Sequence, residues 1–388
     1  MRKRVFDINS LAQAPAPLRI FEKSALLLTV FIALTFSALA KGPKQEFSKN
    51  ITREFATNAN GMTALYNKYG AVNVKTWPNN SVKIDITIRV NAASQSAADK
   101  MFDRIQVNFA NTTGYVKAET MIQSKTGWWE EGNTCQDFKI NYEVWMPPGN
   151  QLDLKNKYGN SYVAAITGKL TAEIKYGDLR TEALTGDVDL NLGYGKAYIA
   201  GANNLYGQVS YGEVNLTAAK GDIQMDTKYS ELHFDKSNAL RLTSKYDDLT
   251  LGDIQDLRVQ TKYSDITAQR VGALYITAQY TDLKMDVVTT SADLDLCYGS
   301  LKIASLGREF ADVNVVGKYA DVYVATERTA RYKFKIEGSH TDISRPSGAS
   351  IRRSEKSSGC ETLEGNVGDA NARGTVKGKM QYGSFVLK

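Results

Sequence analysis

The chain has 388 residues, is 43% hydrophobic and 23% charged, and carries a formal charge of +6. That is ordinary for a folded protein and long enough for one extended domain or two compact ones. Within the first 40 residues Arg2, Lys3, Arg4, Arg19 and Lys23 stand against Asp7 and Glu22, so half of the +6 lies there. The remainder is no nucleic-acid footprint.

Residues 1–40 combine a basic start, an apolar run from Ala25 to Phe36, and small residues at Ala38 and Ala40. This is the layout of a secretory signal cleaved after Ala40, and the run is short for a membrane span; an uncleaved anchor is the alternative. No cysteine follows the run, which argues against lipid attachment. The expected mature chain is exported (periplasmic, cell-surface or secreted) and has no transmembrane segment.

Residues 41–150 read as the atypical beginning of a β-solenoid. Ala64 to Val74 and Val82 to Val90 alternate in hydropathy, and Tyr69-Gly70 forms a first corner. Ala98, Met101, Phe102 and Ile105 fall at helical spacing behind Ser94, predicting a capped amphipathic helix over 94–105 that covers a face or end of the stack. Strands resume at Ile105 to Phe109, Tyr115 to Met121 and Phe138 to Trp145.

Residues 151–344 carry the dominant signal, a ladder of Tyr158, Tyr176, Tyr194, Tyr211, Tyr229, Tyr246, Tyr263, Tyr280, Tyr298 and Tyr319, mostly 17 or 18 residues apart. Such a period predicts one coil of a solenoid per interval. Apolar residues recur at every second position before each tyrosine, as in Leu170, Ala172, Ile174 and Val188, Leu190, Leu192, and again after it, as in Leu179 and Thr181 or Leu249 and Leu251. By the same parity the tyrosines point inward as a stacked spine, with His340 substituting for a late one. Pairs such as Gly177-Asp178 and Ser264-Asp265 form one corner. Gly168, Gly186, Asn203, Gly221, Asn238 and Gly272, eight residues earlier, suit a left-handed second corner, although Gln255 and Thr290 break that rule.

Residues 345–388 begin with a polar excursion to Arg373, read as a long loop, and end with strands over Gly374 to Leu387 that add a last hairpin-like coil. The predicted fold is all-β: a single-stranded β-solenoid (β-helix) of 17–18-residue coils with one short N-terminal helix packed on it.

The alternating strands around Tyr-Gly or Ser-Asp corners, the opening Lys68-Tyr69-Gly70 with Trp77 after it, the helix near Ala98 to Ile105 and the lead-in Tyr142-Glu-Val-Trp-Met-Pro-Pro-Gly149 resemble the bacterial "putative adhesin" family. The likeness covers roughly residues 50–388 and is one of repeat pattern. It implies an exported β-solenoid of the cell envelope or exterior without known catalytic residues.

The chemistry-bearing positions are few. Asp178, Glu213, Glu231, Asp248, Asp265, Asp282 and Asp321 follow the tyrosines by two and would stack as a carboxylate column, for calcium or for a general acid and base pair. The plainer reading is that Lys157, Lys175, Lys228, Lys245, Lys262 and Lys318, just before the tyrosines, neutralise it. With only His233 and His340 in the chain, neither a metal centre nor a histidine triad is expected, and no cofactor is implied.

Adjacent Trp128 and Trp129 form a candidate contact site for a glycan or protein, the alternative being packing onto the solenoid end. Cys135 and Cys360, both in irregular polar stretches, could pair as a disulfide and leave Cys297 a lone thiol. The function expected is a non-catalytic, adhesin-like or envelope scaffold protein whose partner is an envelope or surface protein or a glycan. The alternative is a polysaccharide lyase or hydrolase on a β-helix, supported only by the charged columns and opposed by coils too short for cleft-building loops.

Overall fold

The computed structural model describes residues 44–123 and 138–388. The proposed signal segment, Trp128, Trp129 and Cys135 lie outside the described residues. Residues Glu46–Lys388 form one compact unit.

Period-two alternation sets each strand with one face inward. In Leu170–Lys175, Leu170, Ala172 and Ile174 are buried while Thr171, Glu173 and Lys175 are partly exposed. Among the described residues, twenty-four strands join one mixed sheet that curls into a nearly closed, barrel-like wall, and with a single helix the protein is all-β.

Two rows of parallel pairing dominate the wall. Leu152, Leu170, Val188, Leu205, Ile223, Leu240, Leu257 and Leu274 are successive Cα partners. So are Leu179, Ala197, Val214, Leu232, Leu249 and Ile266. An inner side chain therefore lies over its counterpart one repeat away, and each fully buried leucine or isoleucine contributes roughly 1.5–3 kcal/mol. Summed over the repeats, this term outweighs anything at the surface.

The first repeat, Met62–Lys68 and Val72–Thr76, pairs directly with Gln151–Lys157 and Ser161–Val163. The residues between them extend the wall on its other side. Tyr115–Ile122 and Phe138–Met146 add parallel strands, and Ile105–Thr112 and Ser81–Ala92 add antiparallel ones. The helix Gln95–Arg104 bridges the last two; the Ser94 hydroxyl accepts from the Ala97 N–H at its start, and Ala98 and Phe102 are buried beneath it.

The other end departs from expectation. Residues 345–373 are not a loop: Ala349–Ser357 and Cys360–Val367 form an antiparallel hairpin whose second strand pairs with Tyr332–Ser344. Nor does Gly374–Leu387 add a terminal coil. It runs parallel between Asp312–Thr326 and Tyr332–Ser344, hydrogen-bonded to both. The exposed edge passes to Ala349–Ser357, where Arg352, Arg353 and Lys356 disfavour further strand pairing.

Candidate functional site

The corner after each inner strand is occupied by a tyrosine in the left-handed region, with φ between 52° and 62° from Tyr69 through Tyr382 and 51° at His340. This overturns the inward orientation. Parity holds only along extended backbone, and a positive φ swings the side chain off the alternation and out of the wall. Tyr158, Tyr176, Tyr194, Tyr211, Tyr229, Tyr246, Tyr263, Tyr280, Tyr298, Tyr319 and Tyr382 are each 37–52% exposed.

The left-handed residue is thus the tyrosine, and only after Tyr298 and Tyr382 does the following glycine, Gly299 or Gly383, also take a positive φ. Gly159, Gly177 and Gly195 are small for another reason: a Cβ there would lie 1.9–2.1 Å from the carbonyl oxygen of the glycine one repeat earlier. At the second corner Gly168, Gly186, Gly221 and Gly272 are likewise held by close approach to the preceding repeat, and none has a left-handed φ.

Outside the wall the rings form one continuous column. From Tyr69 to Tyr319, and on through Tyr382, neighbouring centroids are 4.8–5.1 Å apart with planes within 14° of parallel. His340 closes the column on Tyr382 at 5.2 Å, and Phe138 abuts Tyr69 edge-on at the opposite end. At the spacing of strands the ridge is roughly 60 Å long.

A row of charges runs along each flank. Before the rings, Lys68, Lys157 and Lys175 are in register, as are Lys228, Lys245 and Lys262. Lys157, Lys245 and Lys318 place their Nζ atoms 4.8, 5.2 and 5.8 Å from the rings of Tyr158, Tyr246 and Tyr319. Lys175 pairs with Glu173. These lysines therefore do not neutralise the acidic row.

After the rings, Glu213, Glu231, Asp248 and Asp265 are in register. Lys196 pairs with Glu213, His233 lies 2.9 Å from Glu231, and Ser300 and Ser384 donate to Asp282 and Asp321. Among the described residues no group of three His, Cys, Asp or Glu side chains is arranged to hold a metal ion.

Beneath the ridge, Asp247 is 2% exposed and accepts from the Ser230 and Lys245 N–H groups and from the Thr227 and Ser244 hydroxyls, at 2.7–3.0 Å. Nearer the start, Tyr66 donates to Asp153 at 2.6 Å, with Lys117 and Lys155 over its ring. Burial and that carboxylate push the Tyr66 phenol well above its ordinary range. Cys297 is half-buried in the lysine row, in register with Lys318. Cys360 is exposed beside Ser339 at the His340 end, whereas its proposed partner Cys135 lies outside the described residues.

Left-handed backbone costs a non-glycine residue roughly 1–2 kcal/mol, and an aromatic pair returns roughly 0.5–1.5 kcal/mol beyond its burial. With one pair per ring the two nearly cancel; what remains is the burial of about half of each ring, and the other half stays in water.

No protein-family profile and no curated protein matches this sequence. Some solved structures do match. A "putative cell adhesion protein" from Clostridium sporogenes is 7% identical over 88% of this chain and 99% of that one, with a TM-score of 0.19. A "putative adhesin" from Bacteroides fragilis is 13% identical over 88% and 97%, at 0.24. A "putative lipid binding protein" from Parabacteroides distasonis is 9% identical over 72% and 92%, at 0.26. At these scores neither shape nor role transfers from them.

Proposed function

We propose that the chain is a non-catalytic, exported β-solenoid that works by binding, as an adhesin-like or scaffold component of the cell envelope. Its 17–18-residue repeats wind as single-stranded coils, and the register of the two parallel rows supports that reading. The observation that carries the binding role is the exposed ring column, a periodic aromatic surface that leaves about half of each tyrosine in water.

The test replaces Tyr211, Tyr229 and Tyr246 with asparagine, which accepts left-handed backbone. Wild type and variant are then compared for retention on envelope fractions and on glycan arrays. Reduced retention of the variant is expected. Equal retention of the two, or cleavage of envelope polysaccharide by the wild type, would overturn the reading. Export itself predicts a secreted chain beginning at Lys41, checked by intact mass.

A further inference from the structure

We propose that the tyrosine ridge is a self-association surface, on which a second copy of this chain docks side by side with the first, both ridges running in the same direction. The proposal rests on the reading of the ridge as a binding surface and names its occupant.

Eleven tyrosines expose 37–52% of their surface in one unbroken strip. For side chains of roughly 200 Å² this amounts to about 1,000 Å². A stable interface buries about 800 Å² per partner, and this amphipathic strip of ring edges and hydroxyls matches it in area. The strip alone is large enough.

Periodicity limits what can cover it. The ring faces are already stacked on each other at 4.8–5.1 Å, so only edges and hydroxyls face outward. A partner stays in contact along the whole strip only if its own groups repeat at the same rise. A second copy does so at every ring.

Charge fixes the direction. In the repeats of Tyr246 and Tyr263, Lys245 and Lys262 lie on one flank and Asp248 and Asp265 on the other, each row in register. Among the described residues none of these four side chains has an oppositely charged partner within 4.0 Å. A two-fold axis parallel to the ridge brings the lysine flank of one copy against the carboxylate flank of the other at the same height. An antiparallel arrangement opposes lysine to lysine and carboxylate to carboxylate. Like charges so placed repel, so the parallel pair is selected.

The experiment is sedimentation equilibrium of the full mature chain and two charge-reversed variants, each checked for native circular dichroism and melting. Wild type is expected to dimerise reversibly, and more weakly when salt rises from about 0.1 to about 1 M, where the screening length falls to about 3 Å. Lys245→Glu with Lys262→Glu opposes carboxylates across the two-fold, and Asp248→Lys with Asp265→Lys opposes lysines. Each variant alone is expected to dimerise at least about tenfold more weakly. Mixed in equal amounts they regain complementary flanks, and a heterodimer is expected.

A wild type that stays monomeric at every concentration overturns the proposal, as do variants that dimerise as tightly as wild type, or a mixture that does not recover. Monomeric wild type whose envelope retention still depends on Tyr211, Tyr229 and Tyr246 overturns self-association alone and leaves the binding role standing.

Discussion

Tyr319 stacks on Tyr382, with ring centroids 4.8 Å apart, and not on His340, the next ring position in sequence; His340 lies beyond Tyr382. The ring order reports the strand order, because Gly374–Leu387 is inserted between two strands that precede it in the chain.

Phe385, on the inner face of that inserted strand, is 0% exposed. Phe385→Ala is expected to cost about 3–5 kcal/mol, measured by chemical denaturation. Were the strand a frayed terminal addition, the change would be nearly silent.

Tyr246 tests the balance of strain and stacking. Its ring touches those of Tyr229 and Tyr263, and its φ is 59°. Tyr246→Phe keeps both contacts and should stay within about 0.5 kcal/mol of wild type. Tyr246→Val loses both and puts a β-branched residue in left-handed backbone, so about 2–4 kcal/mol of destabilisation is expected. Thermal melts of the two variants separate these outcomes.

Asp247 is the one buried carboxylate among the described residues, and four donors converge on it. Asp247→Ala leaves those donors without an acceptor in a site closed to water, a loss of about 3 kcal/mol or more by denaturant titration. Asp247→Asn keeps one acceptor oxygen and should lie between.

Three phenols give a pH prediction. Burial raises Tyr142 and Tyr332, and burial with the Asp153 carboxylate raises Tyr66, all from an ordinary value of 10.0. A raised folded value favours the protonated form, so this contribution to stability is complete below about pH 10 and is lost as pH rises above it. Denaturation midpoints should therefore fall from about pH 10 upward. Absorbance at tyrosinate wavelengths should show these three phenols ionising above the ordinary value of 10.0.

Much of the wall was legible because its rule is local. Alternation named Leu170, Ala172, Ile174, Leu249 and Leu251 as inner residues, and Ser94 with Ala98 and Phe102 marked the helix. The outward turn of the tyrosines was not legible. Alternation presumes extended backbone, and nothing about a tyrosine at one position announces a left-handed φ. The insertion of Gly374–Leu387 was equally hidden: its apolar pattern suits any row of the wall, and the choice of neighbours depends on a hairpin whose polar sequence resembles a loop. The lysines were placed against the wrong partner because the rings, once turned outward, become contacts for Lys157, Lys245 and Lys318 that alternation does not foresee.

The insertion also orders events during biosynthesis. Asp312–Thr326 and Tyr332–Ser344 are made before the segment that lies between them, so their final ladder partner is the last strand of the chain to be synthesised. Until Gly374–Leu387 arrives, both edges lack the ladder partners they have in the finished wall.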